Sequence, residues 1–137
     1  MRFGPDQNNF KLGLDIHGVI DADPAMFSQL AKRVLRSGGE VHIITGAQMT
    51  EELKDKLKNE YGMEWTSLFS IADYHKEIGT QITYEDKDNP WMSDELWDET
   101  KAEHCRALDI DLHIDDTERY GKYFTTPFLL WKKKAAE

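Results

Sequence analysis

The sequence has little cysteine, no long apolar run and no excess of basic residues, and each shortage excludes a class of protein. The single cysteine, Cys105, excludes an intramolecular disulfide framework. No apolar run approaches the roughly 20 residues that a membrane-spanning helix requires, and the first residues lack the apolar core of a signal peptide. The 26 acidic residues outnumber the 17 basic ones, which argues against a nucleic-acid-binding surface. We therefore expect a cytoplasmic protein with no membrane or nucleic-acid partner.

The acidic excess is confined to one stretch of the chain. Residues 84–116 contain twelve acidic and three basic residues, a difference that equals the whole net charge of −9. We interpret the acids of loop 84–92 and helix 94–108 as a solvated face. The adjacent pair Asp115 and Asp116 is different, because two neighbouring carboxylates are candidate ligands for a cation.

The length of 137 residues predicts one ordinary domain. A domain of this size buries roughly two-thirds of its unfolded surface, so it folds without a disulfide or metal staple. The chain shows no internal repeat. We predict an N-terminal arm at 1–10, a single domain at 11–131 and a charged tail at 132–137.

Strand and helix patterns alternate along the domain. Asp23 and Pro24 predict the start of a helix over 24–36, Thr50 predicts a second helix, and Ser93 predicts a third that runs to about Leu108. Short apolar runs predict five strands, at 12–15, 41–45, 68–71, 112–115 and 128–131. Residues 73–92 are expected to be irregular. This alternation predicts an α/β fold of three layers, a Rossmann-like parallel sheet of about five strands with helices on both faces.

Polar side chains stand where three of these strands end. They are Asp15, Thr45 and the pair Asp115–Asp116, which should meet at one edge of the sheet. A carboxylate can attack phosphorus, and carboxylates together with a backbone carbonyl can hold Mg²⁺. A threonine hydroxyl and an ammonium such as that of Lys101 can bind phosphoryl oxygens. The residue types therefore indicate phosphoryl-transfer chemistry.

Four segments in this order resemble the motifs of the haloacid dehalogenase superfamily, whose members are mostly Mg²⁺-dependent phosphatases. LGLDIHGVI, from Leu12, resembles the first motif, and HIITG, from His42, resembles the second. Lys101, 14 residues before Asp115, resembles the third motif, a lysine that opens the helix before the fourth strand. LHIDD, from Leu112, resembles the fourth. The resemblance extends from Leu12 to about Trp131.

The resemblance implies a role for each site residue. Asp15 would be the nucleophile and a Mg²⁺ ligand, the carbonyl of His17 a second ligand and Asp116 a third, with Asp115 a direct or water-mediated neighbour. The implied phosphate-binding residues are Thr45, Gly46 and Lys101. The implied function is a phosphomonoester phosphatase that acts through an aspartyl-phosphate on Asp15.

His17 departs from the family's pattern, because its phosphatases usually carry a second aspartate at this position. That aspartate protonates the leaving oxygen and then activates water, and histidine can do both. The alternative is a catalytically weak module that binds a phosphorylated ligand or a protein partner. A signalling receiver domain shares the residue types, but there the acid pair comes early, whereas here Asp115 and Asp116 come last.

The spacing also predicts an essentially uncapped site. The helix at 24–36 follows the first motif almost directly, and segment 73–92 is too short for an independent cap domain. An open site suits bulky substrates, whereas an acidic rim favours small phosphorylated ones, and both readings stay open.

Trp91, Met92 and Trp97 are candidates for a lid, although Trp97 is more simply the apolar face of its helix. We expect His42 and His113 to be packed or half-exposed sheet residues, Cys105 to be a helix core residue, and the protein to be a monomer or homodimer.

Overall fold

A computed structural model of the chain describes residues 9–80, 83–86 and 89–132, with the side chains of 81–91 left out of the description. Residues 1–8 of the predicted arm at 1–10, and residues 133–137 of the predicted tail at 132–137, lie outside the described residues. Among the described residues, no helix combines the length and the apolar character that crossing a membrane requires.

The fold is α/β, with a five-stranded parallel sheet between helices. The strands of this sheet are β1 Lys11–Leu14, β2 Glu40–Thr45, β3 Ser67–Ser70, β6 Leu112–Asp115 and β7 Phe128–Leu130. A separate antiparallel pair consists of β4 Thr83–Asp86 and β5 Asn89–Trp91. The sheet order is β3-β2-β1-β6-β7, so β1 is central, with β2 and β3 on one side of it and β6 and β7 on the other; the strand order reverses between β1 and β6. The three-layer Rossmann-like prediction is confirmed.

Alternation along the strands divides the buried residues between the two faces of the sheet. On one face, Leu12, Leu14 and Ile43 pack against a helix that contributes Phe27 and Ala31. The other face has a smaller apolar cluster of Ile44, Cys105 and Ile110. The expectation that Cys105 lies in the core is confirmed, since its side chain is fully buried.

Three helices begin where the sequence predicts them, after Asp23, Thr50 and Ser93, whereas a fourth was not predicted. The helices of the described residues are α1 Pro24–Arg36, α2 Glu51–Asp55 with a wider turn at Lys56–Glu60, α3 Ile71–Glu77, which was not predicted, and α4 Asp94–Ala107, with a 3-10 turn at Glu118–Tyr123. The Asp23 carboxylate accepts the Met26 N–H at 3.3 Å, and the Thr50 hydroxyl accepts the Leu53 N–H at 3.1 Å. Each cap satisfies a backbone donor that has no partner within the helix.

The prediction that residues 73–92 are irregular is wrong. The Ser70 hydroxyl accepts the Asp73 N–H at 3.0 Å and starts α3, which turns Ile71 and His75 inward. The strands β4 and β5 form an antiparallel pair within the remainder. The prediction failed because α3 has only seven residues, too few to show a helical period.

Candidate functional site

The carboxyl ends of β1, β2 and β6 meet at one edge of the sheet, beside the point where the strand order reverses. This is where open α/β sheets bind ligands. A cavity of about 490 Å³ opens there. Its lining includes six of the seven predicted site residues: Asp15, His17, Thr45, Gly46, Lys101 and Asp116. The seventh, Asp115, lies behind this lining with its side chain fully buried.

Lys101 joins the two strand ends that flank the reversal. Its Nζ donates to Asp15 Oδ1 at 3.1 Å and to Asp115 Oδ2 at 2.7 Å, and it lies 4.8 Å from the centre of the Tyr120 ring. The expectation that a lysine opens the helix is wrong, because Lys101 lies in the middle of α4. From that position its long side chain reaches the strand ends while remaining only 1% exposed.

The two carboxylates that contact Lys101 have opposite pKa shifts. Burial raises the pKa of Asp15 to about 7, with Asp115 and Asp116 adding to the rise and Lys101 opposing it. Burial would also raise the pKa of Asp115, but the hydrogen bond from His113 and the charge of Lys101 outweigh it and hold that pKa at about 2. The same carboxylates hold the pKa of Lys101 above its ordinary value despite burial. Asp115 is therefore a fixed anion, whereas Asp15 depends on its neighbours for its charge.

Three carboxylates are close enough to share one cation. Asp15, Asp115 and Asp116 each offer an oxygen within 4.8 Å of the others. Both oxygens of Asp115 already accept bonds, Oδ2 from Lys101 and His113 and Oδ1 from the Thr117 N–H at 3.2 Å. Asp116 accepts through Oδ1 from the Thr117 hydroxyl at 3.2 Å, and its Oδ2 faces Gly18. This geometry favours Asp15 and Asp116 as direct ligands, with Asp115 behind them.

Gly18 makes room for Asp116. Its φ is +84°, a left-handed conformation that favours glycine, and a Cβ there would lie 1.9 Å from Asp116 Oδ2. Any side chain at position 18 therefore displaces this carboxylate.

The variant Gly18→Ala should weaken Mg²⁺ binding by about 10- to 100-fold, as loss of ligand orientation typically does. Gly38→Ala is the matched control, because Gly38 has a φ of +91° with nothing within 4 Å of its missing Cβ. Isothermal titration with Mg²⁺ should separate the variants, while thermal melts report the backbone strain that they share. Equal Mg²⁺ affinity in the two variants would contradict this geometry.

His17 is held in place by an aspartate that the sequence reasoning missed. Its side chain is 61% exposed, and Nδ1 donates to Asp21 Oδ2 at 3.2 Å. The other oxygen of Asp21 accepts the Gly18 N–H at 2.7 Å. The Nε2 atom of His17 is then left to act as a proton acceptor or donor at the cavity. The four-residue spacing from His17 to Asp21 was the available signal.

Trp97 forms a wall of the cavity. A Cβ on Gly46 would lie 2.8 Å from the indole, and the indole N–H donates to the Tyr120 hydroxyl at 3.1 Å. These contacts hold Trp97 beside the phosphate-binding position predicted for Gly46. Met92 is buried, and the side chain of Trp91 lies outside the described residues. Of the two lid candidates whose side chains are described, Trp97 lines the cavity.

One acid of the predicted solvated face is buried. Asp98 on α4 is 5% exposed and accepts from Arg119 Nε at 3.0 and 3.1 Å. The interpretation of helix 94–108 as a wholly solvated acidic face is therefore wrong at this residue. Its partner comes from the turn after β6, which no pattern local to the helix reveals.

The two predicted sheet histidines are both buried, so of the expected alternatives they are packed and not half-exposed. His42 is 4% exposed and contacts Glu40 Oε1 at 2.8 Å, and His113 is fully buried. Burial lowers the pKa of His113. His42 is a packed residue with polar partners, as expected, but His113 contacts the candidate site through Asp115.

A scan against protein-family models, a search of curated proteins and a search of solved structures each find no match for this chain. The interpretation of the site therefore depends on its own geometry and on the order of the four motifs along the chain.

Proposed function

We propose that the protein is a Mg²⁺-dependent phosphomonoester phosphatase built on the plan of the haloacid dehalogenase superfamily, with Asp15 as the nucleophile. The observation that carries the proposal is the bridge from Lys101 to Asp15 and Asp115 beside three clustered carboxylates. A nucleophilic carboxylate, cation ligands and a buried ammonium are groups that can carry out phosphoryl transfer through an aspartyl-phosphate.

The charge of the site supports a divalent cation and a phosphate. With Asp15 ionised, three carboxylates and one lysine ammonium leave an excess of negative charge that repels a phosphate dianion. Oxygen ligands of this kind suit Mg²⁺, which when bound would offset the carboxylates and polarise the phosphoryl oxygens. Asp15, Asp116 and the carbonyl of His17 would hold it. Thr45, Gly46 and Lys101, which line the cavity, would bind the phosphoryl group.

Asp15 and His17 divide the reaction between them. A carboxylate oxygen of Asp15 attacks phosphorus, the bond to the leaving oxygen breaks, and His17 gives that oxygen a proton. His17 then takes a proton from a water that attacks the aspartyl-phosphate. The bond between phosphorus and Asp15 breaks, and inorganic phosphate leaves. The cavity of about 490 Å³ has room for a small phosphorylated substrate, and the three carboxylates disfavour a polyanionic one.

The contact from Asp21 gives His17 a testable role. Asp21→Asn should lower kcat by about 10- to 100-fold with little change in KM, because its single amide oxygen cannot accept from both the Gly18 N–H and His17 Nδ1. With that oxygen on Gly18, the NH2 group faces Nδ1 and favours the tautomer that carries its proton on Nε2. Asp23→Asn is the control, since asparagine caps helices as well as aspartate does. Steady-state kinetics on the best substrate checks this, and an unchanged kcat in Asp21→Asn would count against acid/base work by His17.

The exposure of His17 also favours the competing function, a weak module that binds a phosphorylated ligand. Although His17 lines the cavity, its imidazole is 61% exposed and therefore poorly shielded from water. His17→Asp, which restores the family's usual residue, separates the two. If His17 is the acid/base group of a phosphatase, kcat of His17→Asp should be similar to that of the wild type or lower. If His17 has no catalytic role, the new aspartate should raise kcat.

The proposed function is tested with a panel of phosphorylated metabolites and an aryl phosphate. We expect release of inorganic phosphate that requires Mg²⁺ and stops when EDTA removes the metal. Binding of phosphate with Mg²⁺ but no turnover of any substrate would favour the binding module. Turnover that persists in EDTA would contradict the proposed metal site.

A further inference from the structure

His113 is a buried polar residue for which the proposed mechanism has no role. It lies two residues before Asp115 on β6, so both side chains point to the same face of the sheet. Its Nε2 lies 2.9 Å from Asp115 Oδ2, and neither side chain is exposed. Since a carboxylate only accepts, His113 donates this hydrogen bond.

The central strand is built to admit this imidazole. Gly13 on β1 pairs with His113 in the register of the sheet, and a Cβ on Gly13 would lie 2.7 Å from His113 Nδ1. Glycine inside a strand is unfavourable, because it loses the most entropy on folding and has no side chain to pack. Glycine at position 13 therefore has a specific reason: it leaves space for the His113 ring.

Aromatic rings fix the orientation of His113. Phe124 stacks on it with ring centres 5.2 Å apart and an interplanar angle of 13°, and Phe128 lies 6.0 Å away. Its Nδ1 has no hydrogen-bond partner among the described residues. The bond to Asp115 is thus the polar interaction that the buried ring makes within the described part of the chain.

The oxygen that His113 contacts is the one that holds Lys101. Asp115 Oδ2 accepts from Lys101 Nζ at 2.7 Å and from His113 Nε2 at 2.9 Å. With Oδ1 bonded to Thr117, these donors define the rotation of the carboxylate. A charge-assisted bond of this kind positions both groups that share it.

We propose that His113 is a positioning residue, which holds the Asp115 carboxylate so that Lys101 stays at the floor of the cavity. The effect of this role on phosphate binding rests on the proposed function, but the positioning of Asp115 and Lys101 by His113 is a property of the metal-free protein. The chain of contacts runs from Gly13 through His113 and Asp115 to Lys101.

Two variants at position 113 test the role. His113→Gln keeps an N–H donor near the position of Nε2, and His113→Leu removes it while keeping an apolar side chain. In protein labelled with ¹⁵N at lysine, the buried ammonium of Lys101 should give a resolved signal, assigned from its loss in Lys101→Met. We expect that signal to shift or broaden in His113→Leu and to be restored in His113→Gln.

The second readout is the affinity for inorganic phosphate in the presence of Mg²⁺. His113→Leu should bind it about 10- to 100-fold more weakly, the usual effect of removing a group that orients a site residue, and His113→Gln should bind it nearly as wild type. A Lys101 signal that is unchanged in His113→Leu, or equally altered in both folded variants, overturns the proposal. A Lys101 signal that responds as expected in a protein that neither binds nor releases phosphate supports the positioning and refutes the proposed function.

If His113→Leu does not fold, Gly13→Ala provides the test. The added methyl pushes against His113 Nδ1, so the Lys101 signal should shift as it does on loss of the donor. In the double variant Gly13→Ala/His113→Gln, the more flexible side chain should recover the signal at least in part. An unchanged Lys101 signal in Gly13→Ala would overturn the proposal.

Discussion

Asp15→Asn should abolish phosphate release and, at about pH 8, raise the melting temperature of the metal-free protein. Activity is lost because an amide cannot form the aspartyl-phosphate. Stability is gained because burial raises the pKa of Asp15 to about 7, with Asp115 and Asp116 adding to that rise and Lys101 opposing it. The ionised carboxylate therefore destabilises the fold. We expect a gain of about 2 kcal/mol, below the roughly 4 kcal/mol that three pKa units represent.

The pH dependence of this gain follows from the direction of the shift. The folded protein holds the Asp15 proton more tightly than the unfolded chain does, so this group's stabilising contribution is lost as the pH rises through about 7. The advantage of Asp15→Asn should be largest above that pH and disappear below about pH 4, where the carboxyl is protonated in both states.

Asp115→Asn is the matched control, with the opposite expectation. Its pKa is held at about 2, since the bond from His113 and the charge of Lys101 outweigh burial. The Asp115 anion therefore stabilises the fold above about pH 4, and this contribution is lost as the pH falls through about 2. Thermal melts in EDTA over a pH series measure both variants. A lower melting temperature for Asp15→Asn at high pH would contradict the electrostatics of the site.

Lys101→Met should cost about 3–5 kcal/mol of stability, because removing one partner of a buried ion pair leaves uncompensated charge behind. Lys101 is 1% exposed and balances both Asp15 and Asp115. A loss of this size lowers the melting temperature by about 10–20 °C in a domain of this length. Phosphate release should also be lost, because the proposed function assigns Lys101 to binding the phosphoryl group.

Added Mg²⁺ should stabilise Lys101→Met more than it stabilises the wild type, since the dication replaces the positive charge that Lys101 supplies to Asp15 and Asp115. Lys54→Met is the control, because Lys54 pairs with Glu51 at 3.2 Å on the surface and such pairs contribute about 0–1 kcal/mol. Differential scanning fluorimetry with and without Mg²⁺ measures all three proteins. Equal melting temperatures for Lys101→Met and Lys54→Met would show that the buried network does not stabilise the fold.

Local patterns were sufficient for most of the fold. Apolar runs and capping residues such as Asp23 and Thr50 depend on neighbours in sequence, so the strands of the main sheet and the long helices could be predicted. The carboxyl ends of parallel strands share an edge, which placed Asp15, Thr45 and Asp116 around one cavity before any coordinates were known.

What the sequence did not reveal depends on contacts between distant segments. The bond from His113 to Asp115 required knowing that Gly13 lies beside them in the register, and the burial of Asp98 required Arg119 from another element. Lys101 was expected to open its helix, but its position is set by the reach of its side chain to two strand ends. Such effects arise from tertiary packing, which no local period encodes.

The proposed function requires Asp15 to carry the phosphoryl group during turnover. Its most direct test is acid quench of the protein during turnover with Mg²⁺ and the best substrate, followed by borohydride reduction and peptide mass spectrometry. Reduction converts an aspartyl-phosphate into homoserine, and we expect this conversion at position 15. It should depend on Mg²⁺ and should be absent when substrate is used up before the acid quench, because the aspartyl-phosphate has then been hydrolysed. Phosphate release with no modification at Asp15, or with the phosphoryl group on another residue, would contradict it.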